Sequence, residues 1–236
     1  MGIGRGVGIQ YLGHSTFLFT SPSGRKVLID PWTENNPACP KEAAQIDSLD
    51  VILVTHGHFD HIQDAVSLAT RLEPQVVCIF EIANWLENKG VSNIVAMNKG
   101  GTVTVEGLRV TMVDARHSSG IMADDGTMIE GGEPAGYVVE FENGLRIYFA
   151  GDTCVFGDMK IIAEIYQPEL IFLPIGDHFT MGPVEAAYAC RLLDARKVIP
   201  MHYGTFPILT GTPDELARLT RDLGTEVIAM SPGETL

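Results

Sequence analysis

Val51-Ile52-Leu53-Val54-Thr55-His56-Gly57-His58-Phe59-Asp60-His61 is the stretch on which the reading of the whole chain turns. Its four apolar residues, bounded by Asp50 and Thr55, are too few for a helix and suit a strand buried on both faces. That strand delivers the chain to four ligand-type side chains within six residues: His56, His58, Asp60 and His61. Imidazole and carboxylate together suit zinc, manganese or iron, and a divalent ion needs such groups to converge on it. Gly57 is expected to let the backbone turn so that alternate ligands point to one side.

Working outward, Gly8 to Leu12, Ser15 to Thr20 and Lys26 to Asp30 read as an antiparallel meander with a turn at Ser21 to Gly24. A polar, proline-containing loop follows from Asp30 to Pro40. Beyond the ligand cluster, helical spacing covers Ile62 to Leu72 and Glu81 to Lys89, with strands at Gln75 to Ile79 and Ile94 to Met97. A hairpin is expected at Thr102 to Val105 with Leu108 to Val113, then a polar loop from Gly120 to Glu133. A second hairpin, Ala135 to Glu142 with Leu145 to Ala150, crosses Asn143-Gly144, the strongest turn signal in the chain. Helices near Asp158 to Tyr166, Pro183 to Leu193 and Pro213 to Leu223 alternate with strands at Leu170 to Pro174, Lys197 to Pro200 and Thr225 to Met230. The order of meander, hairpin and crossover repeats roughly twice. It predicts an α/β fold of two packed sheets with helices outside, in one domain over residues 1–236.

His56, His58, Asp60 and His61 resemble the HxHxDH signature of the metallo-β-lactamase superfamily, placed after a strand as in that family. His117 in Asp114-Ala115-Arg116-His117-Ser118, Asp152 in Ala150-Gly151-Asp152-Thr153 and His202 in Pro200-Met201-His202-Tyr203 resemble its later ligand motifs, in order. The similarity runs from Leu12-Gly13-His14-Ser15 to Ser231-Pro232-Gly233-Glu234. It is closest to the small stand-alone metal-dependent hydrolases related to the ascorbate-6-phosphate lactonase type, in which Gly13-His14-Ser15 and His178-Phe179-Thr180-Met181-Gly182-Pro183 recur. The resemblance implies a four-layer αββα sandwich of two mixed sheets. It also implies two divalent ions, zinc or else manganese or iron: His56, His58 and His117 on one, Asp60, His61 and His202 on the other, Asp152 between. Two ions about 3.5–4 Å apart would hold a bridging hydroxide and polarise the oxygen under attack. Histidine at position 58, where the diiron oxygen-reducing branch resembles HxExD, argues against a redox role.

The chain has 30 acidic against 16 basic residues, a formal charge of −14, with 45% hydrophobic and 19% charged residues. That balance suits a soluble globular protein and disfavours a nucleic-acid partner, since no Lys/Arg cluster compensates it. A membrane span and a signal peptide are not expected, and the glycine-rich N-terminus from Met1 to Gln10 has no apolar stretch; the cytoplasm is the expected location. Cys39, Cys78, Cys154 and Cys190 are widely separated and read as reduced residues, not a disulfide framework or thiolate metal site. Cys154, two residues after Asp152, reads as a packing residue.

Outside the ligand motifs, His178 follows a strand onto the same expected rim, where an imidazole could stabilise an oxyanion or protonate a leaving group. It joins Asp60 as a candidate catalytic residue. His14 reads either as a loop-tying histidine or as a contact to ligand or substrate, Asp30 as a turn aspartate or a partner of a ligand histidine, and Asp177 as a cap or a brace for His178. Arg116 and Lys99 could meet an anionic substrate. Trp32, Phe59, Phe179, Tyr203 and Phe206 could wall a pocket or belong to the core. The expected function is hydrolysis of an ester-like bond, phosphodiester or lactone, in a small molecule. A metal- or ligand-sensing protein without catalysis is the alternative, and a ribonuclease-Z-like nuclease lacks the basic surface it would need. Self-assembly is left open.

Overall fold

The computed structural model describes residues 3–123 and 125–236. Met1 and Gly2 of the glycine-rich N-terminus, and Asp124 of the loop expected over 120–133, lie outside the described residues. Six strands form the first sheet in sequence order: β1 (Gly8–Gly13), β2 (Thr16–Thr20), β3 (Lys26–Ile29), β4 (Val51–Leu53), β5 (Gln75–Ile79) and β6 (Ile94–Met97). The meander β1–β3 is antiparallel and β3–β6 are parallel. Later come the hairpin β7 (Thr102–Val105) and β8 (Leu108–Asp114), and a two-stranded ribbon of β9 (Gly120–Met122) and β10 (Met128–Glu130). Then follow β11 (Ala135–Glu140), β12 (Arg146–Phe149), β13 (Leu170–Pro174), β14 (Lys197–Met201) and β15 (Glu226–Val227). The second sheet runs β15-β14-β13-β12-β11-β8-β7 and is mixed.

The strands of the second sheet bury both faces by strict alternation. Tyr137, Val139, Ile147, Phe149, Phe172 and Ile199 face the first sheet, while Val138, Tyr148, Ile171, Leu173 and Val198 belong to a separate cluster. That second cluster is completed by α4 (Met159–Tyr166), α5 (Pro183–Leu192) and α6 (Pro213–Thr220). The first sheet is covered by α2 (Ala65–Leu72) and α3 (Phe80–Asn88), which follow the single-turn α1 (Phe59–Ile62). Two sheets packed face to face with helices outside both is the αββα architecture expected. Phe17 and Phe19 of β2 meet Phe172 of β13 edge-on, at centroid distances of 4.9 and 5.5 Å. The Tyr137 hydroxyl donates to the Val54 carbonyl across the interface at 2.8 Å, so the sheets are joined by a directed bond as well as by apolar burial.

Three local expectations are corrected. The helix expected over 62–72 breaks at Gln63-Asp64, because the Asp64 carboxylate accepts from the Thr33 N–H, the Thr33 hydroxyl and the Glu34 N–H, and its own N–H donates to Pro31. The loop expected over 120–133 contains the β9–β10 ribbon, whose short strands pair Ile121 with Ile129. The final strand expected over 225–230 shortens to two residues, after which the chain crosses to β1, with the Leu236 N–H donating to the Ile9 carbonyl at 2.9 Å. No helix among the described residues is long and apolar enough to cross a membrane.

Candidate metal centre

His56, His117 and Asp152 each stand three residues beyond the end of a strand, β4, β8 and β12, and His202 directly follows β14. β8 and β12 both pair antiparallel with β11 and so run the same way, which places all four positions at the carboxyl ends of strands. Hydrogen bonds tie the loops of the two sheets together at that end: Ala135 N–H to the Thr55 carbonyl at 3.0 Å, and His202 N–H to the His14 carbonyl at 2.8 Å. His14, Asp30, His178 and His202 all adopt left-handed backbone, φ 52–59°. Such strain at non-glycine residues persists where surrounding contacts hold it; Glu73, Glu106 and Gln167 share the conformation at helix ends and a turn away from the site.

The described side chains form three groups with metal-ligand spacing: His56, His58 and His117; His56, His61 and Asp152; and His14, Asp60, His61 and His202. All seven residues expected as ligands are brought together, and Asp152 is central. Its Oδ2 lies 3.0 Å from His202 Nε2, 3.3 Å from His61 Nε2, 3.6 Å from His117 Nε2 and 3.9 Å from His56 Nε2. Asp152, His56, His61 and His202 are buried, yet Asp152 Oδ1, His61 Nε2 and both ring nitrogens of His202 have no hydrogen-bond partner. Buried polar atoms are nearly always satisfied, so Asp152 Oδ1, His61 Nε2 and His202 Nε2, orphaned at one locus, call for a bound group, whereas His202 Nδ1 faces Gly176. The 3.0 Å approach of His202 to Asp152 lacks hydrogen-bond alignment, as fits two donors to a common cation. The set of imidazoles and carboxylates suits a divalent transition ion.

Electrostatics separate the histidines into two kinds. Burial is the largest influence on each and disfavours the charged form. It prevails at His56, held well below the ordinary range with the help of His61, and at His58 and His117, which are also lowered. At His61 the carboxylates of Asp152, Asp30 and Asp60 outweigh burial and hold the imidazole well above its usual range; at His202, Asp152 does the same, to about 9. In return, the positive imidazoles overcome the burial of Asp152 and hold its carboxyl well below the usual carboxylate range. Asp60 is lowered in the same manner, with burial offset by His61, by the hydrogen bond from His14 and by His202 3.7 Å away.

Asp30 is fully buried and accepts from His61 Nδ1 at 2.7 Å, from the Thr55 N–H at 2.8 Å and from the Thr55 hydroxyl at 2.8 Å. It is thus the partner of a ligand-set histidine and not a plain turn residue, and by holding Nδ1–H it leaves Nε2, turned toward Asp152, as the nitrogen a metal would take. His14 is tied through its ring to side chains and not to a backbone carbonyl: Nε2 lies 2.9 Å from Asp60 Oδ2 and Nδ1 2.9 Å from the Thr205 hydroxyl. Burial and the neighbouring His202 push His14 down to about 4, so the neutral ring donates to Asp60 and accepts from Thr205. Thr205 carried no signal in the sequence, since a threonine three residues past a histidine is unremarkable.

Gly57 does not have the backbone role expected of it. Its φ is not positive; a Cβ there would come within 2.6 Å of Ile121 Cγ1 and 3.2 Å of the Ser119 carbonyl, and its N–H donates to the Ser119 hydroxyl at 3.1 Å. The glycine lets the β9–β10 ribbon lie against the histidine loop.

Other expectations divide. Trp32 is buried against His14 and packs with Phe59 and Phe206 at centroid distances of 5.5 and 6.1 Å, forming a wall, whereas Tyr203 packs into the cluster under α4–α6. His178 and Asp177 are exposed; the Asp177 carboxylate accepts from the His178 N–H, and the His178 ring packs edge-on against Phe179 at 4.5 Å. The structure does not bring the His178 ring into the cluster. Lys99 is taken up by Asp114 at 2.6 Å and Glu133 at 3.0 Å, and Arg116 lies over the Phe156 ring near Asp114 and Asp158. Cys154 is exposed and free, which corrects its reading as a packing residue; Cys78 and Cys190 are buried and Cys39 is partly buried.

Residues 25–203 match the family described as "Beta-lactamase superfamily domain". Among similar proteins, "UPF0173 metal-dependent hydrolase" of Solibacter usitatus is 57% identical over 96% of this chain and 97% of its own length. A protein of the same name from Rubrobacter xylanophilus is 53% identical over 98% of this chain and 96% of its own. The solved structure of Igni18, "a novel metallo hydrolase from the hyperthermophilic archaeon Ignicoccus hospitalis", covers 98% of this chain and 97% of its own with a TM-score of 0.86 at 34% identity. With the αββα layers and a histidine–aspartate cluster at the strand ends, these similarities establish that the chain belongs to the metallo-β-lactamase superfamily, among the metal-dependent hydrolases.

Proposed function

We propose that the chain hydrolyses an ester-like bond, lactone or phosphodiester, in a small molecule with two divalent ions. His56, His58 and His117 would hold one ion, Asp60, His61 and His202 the other, with Asp152 shared between them. The observation that carries this reading is Asp152 Oδ2, within 3.9 Å of four imidazole Nε2 atoms from three loops. When bound, the ions would supply Lewis acidity to the oxygen under attack and lower the pKa of water. His14 joins the second group by distance, but both its ring nitrogens already have partners, so we assign it to holding Asp60 in place. Asp30 holds the tautomer of His61. Trp32, Phe59 and Phe206 keep one side of the site apolar and limit water. His178, exposed on the loop after β13, is assigned to meet the substrate, where its imidazole could hold a proton near the leaving group.

The test pairs metal analysis with turnover. Wild-type protein is expected to retain two equivalents of zinc or manganese and to hydrolyse at least one of a lactone, a phosphodiester, a thioester and a β-lactam. Asp152→Ala should lose or misplace both ions and turnover together. Two retained ions and full activity in Asp152→Ala would remove the shared position; two ions with no turnover of any compound would favour a sensor over an enzyme.

A further inference from the structure

The chain carries 30 acidic and 16 basic residues, yet one cavity gathers Arg5, Arg146, Lys160, Arg191, Arg196 and Lys197 against only Glu164, Glu169 and Asp194. No single stretch of sequence announces this, because the cations come from the N-terminal segment, β12, α4, α5 and the turn into β14. The cavity, about 950 Å³, lies at the opposite end of the second sheet from the metal centre. Arg146 opens β12 and Lys197 opens β14, the strands whose far ends lead to Asp152 and His202. Two of the cations are satisfied within the fold: Arg5 donates to both Glu169 oxygens at 2.8 and 3.0 Å, and Lys160 stands 3.8 Å from Glu164. Among the described residues Arg146, Arg191, Arg196 and Lys197 make no ion pair. Arg191 lies over the Tyr188 ring at 5.8 Å. Arg146 is half-buried, and its Nε is closed to solvent without an acceptor; Glu140, opposite it in the β11–β12 register, forms no ion pair with it.

α4 and α5 both end beside this cavity, and cations collect at helix carboxyl ends in any fold; two such ends offer about one negative charge between them. With Asp194 that offsets about half of the four free cations and leaves a positive pocket in a chain of charge −14. A long polyanion would have to run from the pocket over the rest of an acidic protein, which repels it. An anion small enough to stay inside meets mainly the local cations, because charges farther than about 8 Å are screened. Leu145, Ala163, Pro168, Leu192 and Leu193 also line the cavity and offer contact to a carbon skeleton. We propose that the cavity is a second ligand site, taking a small organic anion of at least two negative charges, phosphate in type. Arg146, Arg191, Arg196 and Lys197 meet its charge, and the leucines and Ala163 meet its body. Planar guanidinium groups match phosphate oxygens by paired hydrogen bonds, and the volume falls in the range of small-molecule sites. The site stands apart from the metal centre and is independent of the hydrolase reading.

The experiment titrates metal-loaded protein with phenylphosphonate, whose phosphorus–carbon bond an ester hydrolase does not cleave, and reads binding by calorimetry. Wild type is expected to bind it at a site that weakens with added salt and persists in Asp152→Ala, where the metal centre is lost. Arg196→Gln combined with Lys197→Gln should weaken that site about tenfold or more, and Arg191→Gln, at an exposed helix position, severalfold. Melting curves check that each variant is folded. In isotope-labelled wild type the Arg146 Nε–H signal should shift during the titration, which places the anion. No binding at millimolar phenylphosphonate, or equal affinity for benzyl alcohol, would overturn the proposal. So would binding that vanishes in Asp152→Ala but survives in the folded cation variants, since the anion would then sit on the metals. Binding of a glutamate-rich peptide with none of phenylphosphonate would overturn it in favour of an acidic protein segment.

Discussion

The Asp30 carboxylate accepts three hydrogen bonds at a left-handed backbone position, φ 52°, and one of them comes from His61. Replacing it with asparagine keeps the shape but can turn an N–H₂ toward His61 Nδ1, which moves the ring proton to Nε2, the nitrogen facing Asp152. Asp30→Asn is therefore expected to lower metal affinity about 10–100-fold, measured by competition with a zinc dye; unchanged affinity would show that the tautomer is not set there. Protonation gives a second expectation. In the metal-free chain His202 is raised to about 9 and His61 well above its ordinary value, so both carry protons at neutral pH. Their contribution to stability is complete below the unfolded histidine value and is lost as pH rises through about 9. Metal binding must displace these protons, so affinity rises with pH. Calorimetry in buffers of different ionisation enthalpy should register proton release near neutrality, and none would contradict the assignment. At this scale the seven ligand-type residues were legible in the sequence because their types and strand-end positions are local. The roles of His14, Asp30 and Thr205 were not, because the loops containing them are far from their partners in sequence.

The β9–β10 ribbon is held to the histidine loop by Gly57 lying under Ile121 and by the Ser119 hydroxyl. Gly57→Ala should push the ribbon away and destabilise the fold by about 1–3 kcal/mol as overpacking does. Ile121→Ala in the same chain should recover part of that loss, and a double-mutant cycle in urea measures the coupling. Purely additive effects would separate the two elements. The ribbon escaped the sequence reading because its strands are only three residues each and its polar, glycine-rich sequence has the composition of a loop. The parallel strands were legible for the opposite reason: Val51–Leu53 and Leu170–Pro174 are buried throughout and read as unbroken apolar runs. The helix break at Gln63-Asp64 was hidden, since what ends the first turn is a carboxylate captured by Thr33 and Glu34.

Across the whole molecule the Phe17, Phe19 and Phe172 contacts and the Tyr137–Val54 bond make the two sheets share one core. The chain is expected to unfold in a single calorimetric transition, and two separated transitions would show that the sheets melt independently. Metal at a thousandfold excess over its dissociation constant adds about 4 kcal/mol. At about 2–4 °C per kcal/mol for a chain of this size, chelation should lower Tm by roughly 10 °C. The two-layered sheet pattern was visible in the order of hairpins and crossovers. How the chain closes was not: its last residues bond to β1, a long-range pairing that no local pattern announces. The net charge of −14 is partly a matter of the same centre, where Asp30, Asp60 and Asp152 are buried or nearly so among histidines.

The placement of those side chains also bears on how the protein is made. His56, His58, Asp60 and His61 come from the loop after β4, while His117, Asp152 and His202 come from the second sheet, the last of them after β14. During synthesis a ribosome will have released the first four long before the remainder exists. Neither half can assemble the whole set alone, so on this arrangement full metal capture comes late, after the two halves have docked, and the loaded centre distinguishes finished chains from incomplete ones.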